Sequence, residues 1–261
     1  MSLAGKTAVI TGSNSGIGCG IAEELARNGA NVVINSFSDT EEDHALARRI
    51  AEDHDVKAVY IAADMSKAAD CRSLIARAAE ALGSVDILVP NAGIQHVAPI
   101  PDFPPEMWDR LIAIVLNSTF HTTAAALPLM RAAGWGRIVI IASAHGLTAS
   151  PYKSAYIAAK HGQVGFAKSC ALETAEEPIT CNAICPGYVL TPLVENQIPA
   201  TMEQYGMDRE TVIRDVLLQR QPSRAFVTTE QIGQTVAFLC SPAAAQITGT
   251  TISIDGAWTA V

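Results

Sequence analysis

The sequence predicts an α/β protein built on one doubly wound, parallel β-sheet of about seven strands with helices on both faces. Three observations point there. Short apolar, β-branched runs recur along the chain, longer stretches of helical period separate them, and a glycine-rich turn joins the first run to the first helical stretch. The runs cover 7–10, 32–35, 58–62, 87–90, 137–141, 180–185 and 251–254. Most are continuous apolar runs rather than alternating ones, as strands covered on both faces require. Between them, Ile21 to Leu25 and Leu74 to Leu82 carry apolar residues at helical spacing and are long enough to serve as crossovers. Segment 191–220 departs from the alternation, with two apolar turns in a polar surface and no strand, and is expected to form a small helical flap beside a substrate site. No linker or composition shift divides the chain and no internal repeat shows, so 1–261 is expected to be a single domain.

Of the 261 residues, 49% are hydrophobic and 17% charged, the balance of a globular protein with a sizeable core. The net charge of −8, with no Lys/Arg run longer than two, offers nothing to a nucleic acid or an acidic membrane surface. The first residues lead straight into an apolar strand, without a charged leader or a spanning apolar stretch, and a cytoplasmic protein is expected. The six cysteines, at 19, 71, 170, 181, 185 and 240, fall mostly in apolar segments and are expected to be free buried thiols. Cys181 and Cys185 lie on one strand without a second ligand pair, so no metal site is expected.

The first strand ends in Thr11-Gly12-Ser13-Asn14-Ser15-Gly16-Ile17-Gly18, and a helix pattern follows. Glycines at 12, 16 and 18 allow a tight turn, close approach to a pyrophosphate and close helix–sheet packing, while the helix N-terminus faces the negative charge. Strand two ends in Asn35-Ser36-Phe37-Ser38-Asp39. No Arg or Lys stands there for a 2′-phosphate, Ser15 and Ser36 take the places from which a base could reach one, and Asp39 is the nearest acid to repel it. These residues favour NAD. Asp64 and Met65, just past strand three, are candidates for the adenine, although Asp64 also reads as an acid at a helix start ahead of Ser66.

Ser143 follows the apolar strand 138–142, which puts a hydroxyl at the carboxyl edge of the sheet. Tyr156 comes thirteen positions later, and Lys160 one helical turn beyond it on the same face. A free Tyr is a poor base at neutral pH, but a neighbouring ammonium favours its phenolate. The trio beside a dinucleotide loop therefore suits hydride-transfer chemistry.

These residues, together with Asn91-Ala92-Gly93 after strand four, Asn117 and Pro186-Gly187 after strand six, resemble the short-chain dehydrogenase/reductase family along the whole chain. The resemblance implies a Rossmann-like fold and assigns four roles. Ser143 positions the substrate oxygen, Tyr156 exchanges its proton, Lys160 holds the nicotinamide ribose and lowers the Tyr156 pKa, and Asn117 supports a water relay. It also implies cofactor contacts from Gly12, Ser15, Gly16, Ile17, Gly18, Phe37, Asn91, Ala92, Gly93, Pro186, Gly187, Val189 and Thr191, and a homotetramer. Thr191 also reads as an N-cap before Pro192. Pro90 departs from the family pattern, which usually carries an Asn there, at a strand end where a lost N–H is tolerable.

Lys153 stands at the apparent start of the catalytic helix, where a cation opposes the helix dipole. An anionic substrate group would account for it, and Gln95, His145 and Gln197 could donate to the same carboxylate. With the family resemblance, the cluster implies reversible oxidation of a short 3-hydroxy acid, (R)-3-hydroxybutanoate to acetoacetate. Trp258, in the apolar C-terminus, is expected to pack across a subunit contact. Two other readings are an NADPH-dependent reductase of 3-oxoacyl thioesters and a catalytically silent nicotinamide-binding protein.

Overall fold

The computed structural model describes residues 2–260. Seven parallel strands form one sheet: β1 (Thr7–Ile10), β2 (Asn31–Ile34), β3 (Ala58–Tyr60), β4 (Ile87–Val89), β5 (Gly136–Ile141), β6 (Ile179–Pro186) and β7 (Thr251–Ile254), in the order β3-β2-β1-β4-β5-β6-β7. The order reverses between β1 and β4, which opens a crevice at their carboxyl ends. Successive strand residues point to opposite faces and join different apolar layers. Ile10, Ile34, Val89 and Val139 pack on one face with Ile21 and Leu25 of α1 (Gly16–Arg27). Val9, Val33, Leu88 and Ile138 pack on the other with Leu74 of α3 (Ala68–Leu82).

Strand two ends one residue sooner than the apolar run suggests, because Asn35 leaves the ladder and uses its side chain. Its Oδ1 accepts from the Gly12 amide at 3.2 Å, and its Nδ2 donates to the carbonyls of Ile61 and Ala63 at 3.0 and 3.3 Å. One buried amide thus ties the glycine turn to the ends of β2 and β3. Helix α2 (Glu41–His54) starts at a capping box in which Thr40 accepts from the Asp43 amide and Asp43 accepts from the Thr40 amide.

Helix α4 (Pro105–Ile112), a π turn at Ala113–Asn117 and α5 (Ser118–Ala133) run on as one helical stretch. By length and by the mean hydropathy of 1.3 in one 18-residue window the stretch could cross a membrane, but it packs against α3, β5 and α6 (Ser154–Glu173). Segment 191–220 holds α7 (Pro192–Glu195), α8 (Ile198–Tyr205), α9 (Arg209–Thr211) and a second π turn (Val212–Leu217), with no strand. Ile198, Val212 and Leu218 are its buried anchors. Helix α10 (Thr229–Leu239) returns the chain to β7 and packs on α1.

Candidate active site

The crevice holds a cavity of about 520 Å³ whose walls include Gly12, Ser15, Gly16, Ile17, Phe37 and Asp64 at one end and Tyr156 and Lys160 at the other. Gly12 and Gly16 have φ of +60° and +56°, a conformation that costs glycine nothing. Ser15 is the N-cap of α1, but no side chain caps the first turn and no acid lies in it. Its N–H groups are left for an anion in the cavity. Gly18 serves packing: a Cβ there would sit 2.6 Å from Asn91 Nδ2 and 2.7 Å from Ser13 Cα, and against the Gly12 carbonyl. Asn91 fastens the turn from the other side, donating to the carbonyls of Thr11 (2.9 Å) and Gly12 (2.8 Å), while Thr11 Oγ1 accepts from the amides of Asn91 and Ala92. Pro90 still accepts from the Ile141 amide at 2.9 Å, so β5 remains attached there.

Asn91, Ala92, Gly93, Met65 and Thr191 also line the cavity, and Phe37 stands at its edge, 82% exposed. Thr191 is at once a wall residue and the N-cap of α7. Pro186, Gly187 and Val189 do not border the cavity; they form the end of β6 and the turn that carries Thr191. Asp64 lines the cavity while accepting from the Ser66 amide and hydroxyl, and these bonds hold its carboxyl below the usual range. The carboxylate of Asp39 turns to His44 at 2.7 Å. Asp43 instead accepts from Asn14 of the glycine turn at 2.9 Å and from Ser38 at 2.8 Å. Burial opposes its ionisation, but donors from Asn14, Ser38 and Thr40 outweigh burial and hold the carboxyl at about 2.

Ser143, Tyr156 and Lys160 come together at the inner end. Ser143 caps a 3-10 turn (Ala144–Gly146) after β5, accepting from the His145 amide at 3.1 Å. Burial pushes the Tyr156 phenol up, and the Ser143 hydroxyl beside it draws it part of the way back. Lys160 Nζ lies 5.6 Å from the Tyr156 ring centre, and burial brings its pKa down to about 7. Asn117 is exposed, and Lys160 donates to the Ile141 carbonyl at 2.8 Å and to Gln163 Oε1 at 3.0 Å. Val115 and Thr119 meet α6 through Gln163.

Beside Tyr156 lies a second cluster. His145 is buried edge-on between Tyr156 and Trp258, with ring centres 6.0 and 5.2 Å away, and its Nε2 is 2.8 Å from Ser150 Oγ. Burial, then the charges of Lys153, Arg220 and His161, bring its pKa down to about 4, so the ring is neutral near pH 7. Lys153 is the N-cap of α6, and burial and Arg220 lower its pKa. Gln95 is exposed at the cavity wall. Gln197 is exposed at the N-cap of α8, and among the described residues no hydrogen bond joins it to His145 or Lys153. Trp258 needs correction: it is buried within its own chain, stacked on Tyr188 at 5.5 Å and against His145.

Sequence reasoning missed Arg220. Its guanidinium donates to the Ala149 carbonyl at 3.1 Å and to Ser150 Oγ at 3.0 Å, and it forms no ion pair among the described residues. An Arg at the end of a polar segment carried no local signal; only the fold brings it to Ser150, seventy positions away.

A family model described as "Enoyl-(Acyl carrier protein) reductase" matches residues 12–259. The chain is 52% identical over 255 residues to a D-beta-hydroxybutyrate dehydrogenase of Rhizobium meliloti (strain 1021), covering 98% of this chain and 99% of that protein. It is also 52% identical over 258 residues to a D-beta-hydroxybutyrate dehydrogenase of Cupriavidus necator, covering 99% of each. A solved structure from Sinorhizobium meliloti 1021, described as that of a short-chain alcohol dehydrogenase, superposes with a TM-score of 0.89 at 34% identity, over 99% of this chain and 98% of that one. Since these likenesses run from end to end and include the glycine turn together with the Tyr156–Lys160 pair, the chain belongs to the short-chain dehydrogenase/reductase family of oxidoreductases.

Proposed function

We propose that the protein oxidises (R)-3-hydroxybutanoate reversibly to acetoacetate with NAD, as a cytoplasmic homotetramer. One observation carries the substrate reading: two cations without acid partners among the described residues, Lys153 and Arg220, flank a neutral His145 directly beside Tyr156. That is a place for a carboxylate held a short distance from a reacting hydroxyl. The D-beta-hydroxybutyrate dehydrogenases that share half of its residues support the same choice.

The uncapped start of α1 fits a pyrophosphate, and Gly12, Ser15, Gly16, Ile17 and Asn91–Gly93 would hold the dinucleotide, with Asp64 and Met65 toward the adenine. The charged Asp43, bonded to the glycine turn at the adenosine end, disfavours a 2′-phosphate and supports NAD over NADP. The chemistry supplied by a bound nicotinamide is acceptance of a hydride from the carbinol carbon. Tyr156 takes the hydroxyl proton, Ser143 hydrogen-bonds the same oxygen, and the Lys160 ammonium favours the phenolate. Lys153, Gln95 and a neutral His145 donate to the carboxylate. Segment 191–220, which carries Gln197, serves as the flap that brings this last donor over the substrate.

Initial rates with NAD and each enantiomer of 3-hydroxybutanoate test the reading. The R form should turn over and the S form barely; equal rates would refute the stereochemical assignment. Tyr156→Phe should lose turnover while still binding cofactor, because only the proton carrier is removed. An NADPH-driven reduction of 3-oxoacyl thioesters that outpaced the NAD reaction would favour the thioester reading instead.

A further inference from the structure

Gln163 is 1% exposed, lies one turn beyond Lys160 on α6, and spends its whole amide on three partners. Oε1 accepts from Lys160 Nζ at 3.0 Å, while Nε2 donates to the Val115 carbonyl and to Thr119 Oγ1, both at 2.9 Å. Val115 lies within the π turn at Ala113–Asn117, where the usual helical ladder is interrupted and a carbonyl can take side-chain donors. The orientation of the amide follows from proton counting. Thr119 has one hydroxyl proton and gives it to the Val115 carbonyl at 2.9 Å, so its oxygen accepts and the NH2 of Gln163 must face it. The carbonyl of Gln163 therefore faces the ammonium.

Lys160 has three N–H bonds. One goes to the Ile141 carbonyl, one to Gln163, and one remains for the cavity that Lys160 lines with Tyr156. We propose that Gln163 is a positioning residue for catalysis: anchored on the π turn, it accepts from Lys160 and fixes the ammonium beside Tyr156. This rests on Tyr156 and Lys160 being the acid/base pair, and not on the identity of the substrate.

The titratable groups facing Lys160 are Tyr156 on its own helix and Cys185 on β6; the 105–133 stretch presents Val115 and Thr119, and β5 the Ile141 carbonyl, none of which titrates. Gln163→Met keeps the length and removes the acceptor. Thr119→Val leaves Gln163 in place and removes one of its two anchors, so it carries the test should the first variant fail to fold. In lysine-labelled protein without cofactor, the NMR titration midpoint of Lys160 should fall by about one pH unit in Gln163→Met, because the charged form loses a hydrogen-bond partner, and by less in Thr119→Val. With the ammonium less populated, the acid limb of kcat/KM for alcohol oxidation should move to higher pH in the same order. A lowered melting temperature with an unchanged Lys160 midpoint and an unchanged limb would reduce Gln163 to core packing and overturn the proposal. Failure of wild type on every 3-hydroxy acid would refute the substrate reading alone, since the Lys160 titration still decides the role of Gln163; full turnover by Tyr156→Phe would overturn both.

Discussion

His145 should make the fold sensitive to mild acid in a window that one substitution can erase. The ring is buried, and burial together with Lys153, Arg220 and His161 sets its pKa at about 4 against an ordinary 6.5. Below 6.5 the unfolded chain takes up a proton that the folded chain refuses until about 4. Stability is therefore full above 6.5, declines as pH falls, and levels off below 4. A gap of about 2.5 pH units corresponds to roughly 3 kcal/mol at most, a substantial part of the net stability of an ordinary domain. Gln is the informative replacement, since its amide can still reach Ser150 but cannot titrate. Urea unfolding of wild type and His145→Gln at about pH 7.5 and about pH 4.5 gives the comparison, and titrations common to both proteins cancel. The wild type should lose roughly 2–3 kcal/mol more than the variant on acidification. Equal losses would mean that the ring is already charged, or freely hydrated, in the folded protein, and the neutral-donor account of His145 would fall with it.

Three other outcomes follow from the same geometry. Gly18→Ala forces a methyl against the Gly12 carbonyl and the Asn91 amide, so cofactor affinity measured by fluorescence titration should drop at least about tenfold, at a stability cost of about 1–3 kcal/mol. Arg220→Gln should raise KM for 3-hydroxybutanoate by about tenfold or more with little effect on a neutral secondary alcohol, and Arg220→Lys should recover part of the loss, since it restores the charge but not the two-pronged grip on Ala149 and Ser150. Lys153→Ala should act in the same direction as Arg220→Gln, and an equal loss on the neutral alcohol would argue that both residues only shape the loop.

The sheet and the glycine turn were legible because their signals are local: continuous apolar runs, then glycines at the point where a strand becomes a helix. The Tyr156–Lys160 pair was legible for the same reason, since one helical turn fixes its face. Asn117 was marked by the family pattern alone, because a polar residue in the π turn at Ala113–Asn117 carries no local signal of its own. Trp258 and Arg220 belong to the site through contacts spanning 70 to more than 100 positions, and nothing near either residue announces them. Asp43 was hidden differently. Its bond to Asn14 in the glycine turn spans 29 positions, and an acid in the first turn of α2 announces only the helix start.

That one carboxylate bears on how readily the protein could evolve. Asp43 closes the cap of α2, receives Ser38 from the loop after β2, and steadies Asn14 in the turn that faces the dinucleotide. A lineage that shed this charge on the way to a 2′-phosphorylated cofactor would in the same step release a helix start, a loop and the phosphate-binding turn. Cofactor preference and the integrity of the fold are thus inherited together, and the easier evolutionary path runs through the exposed rim at Ser36 and Phe37, with Asp43 left untouched.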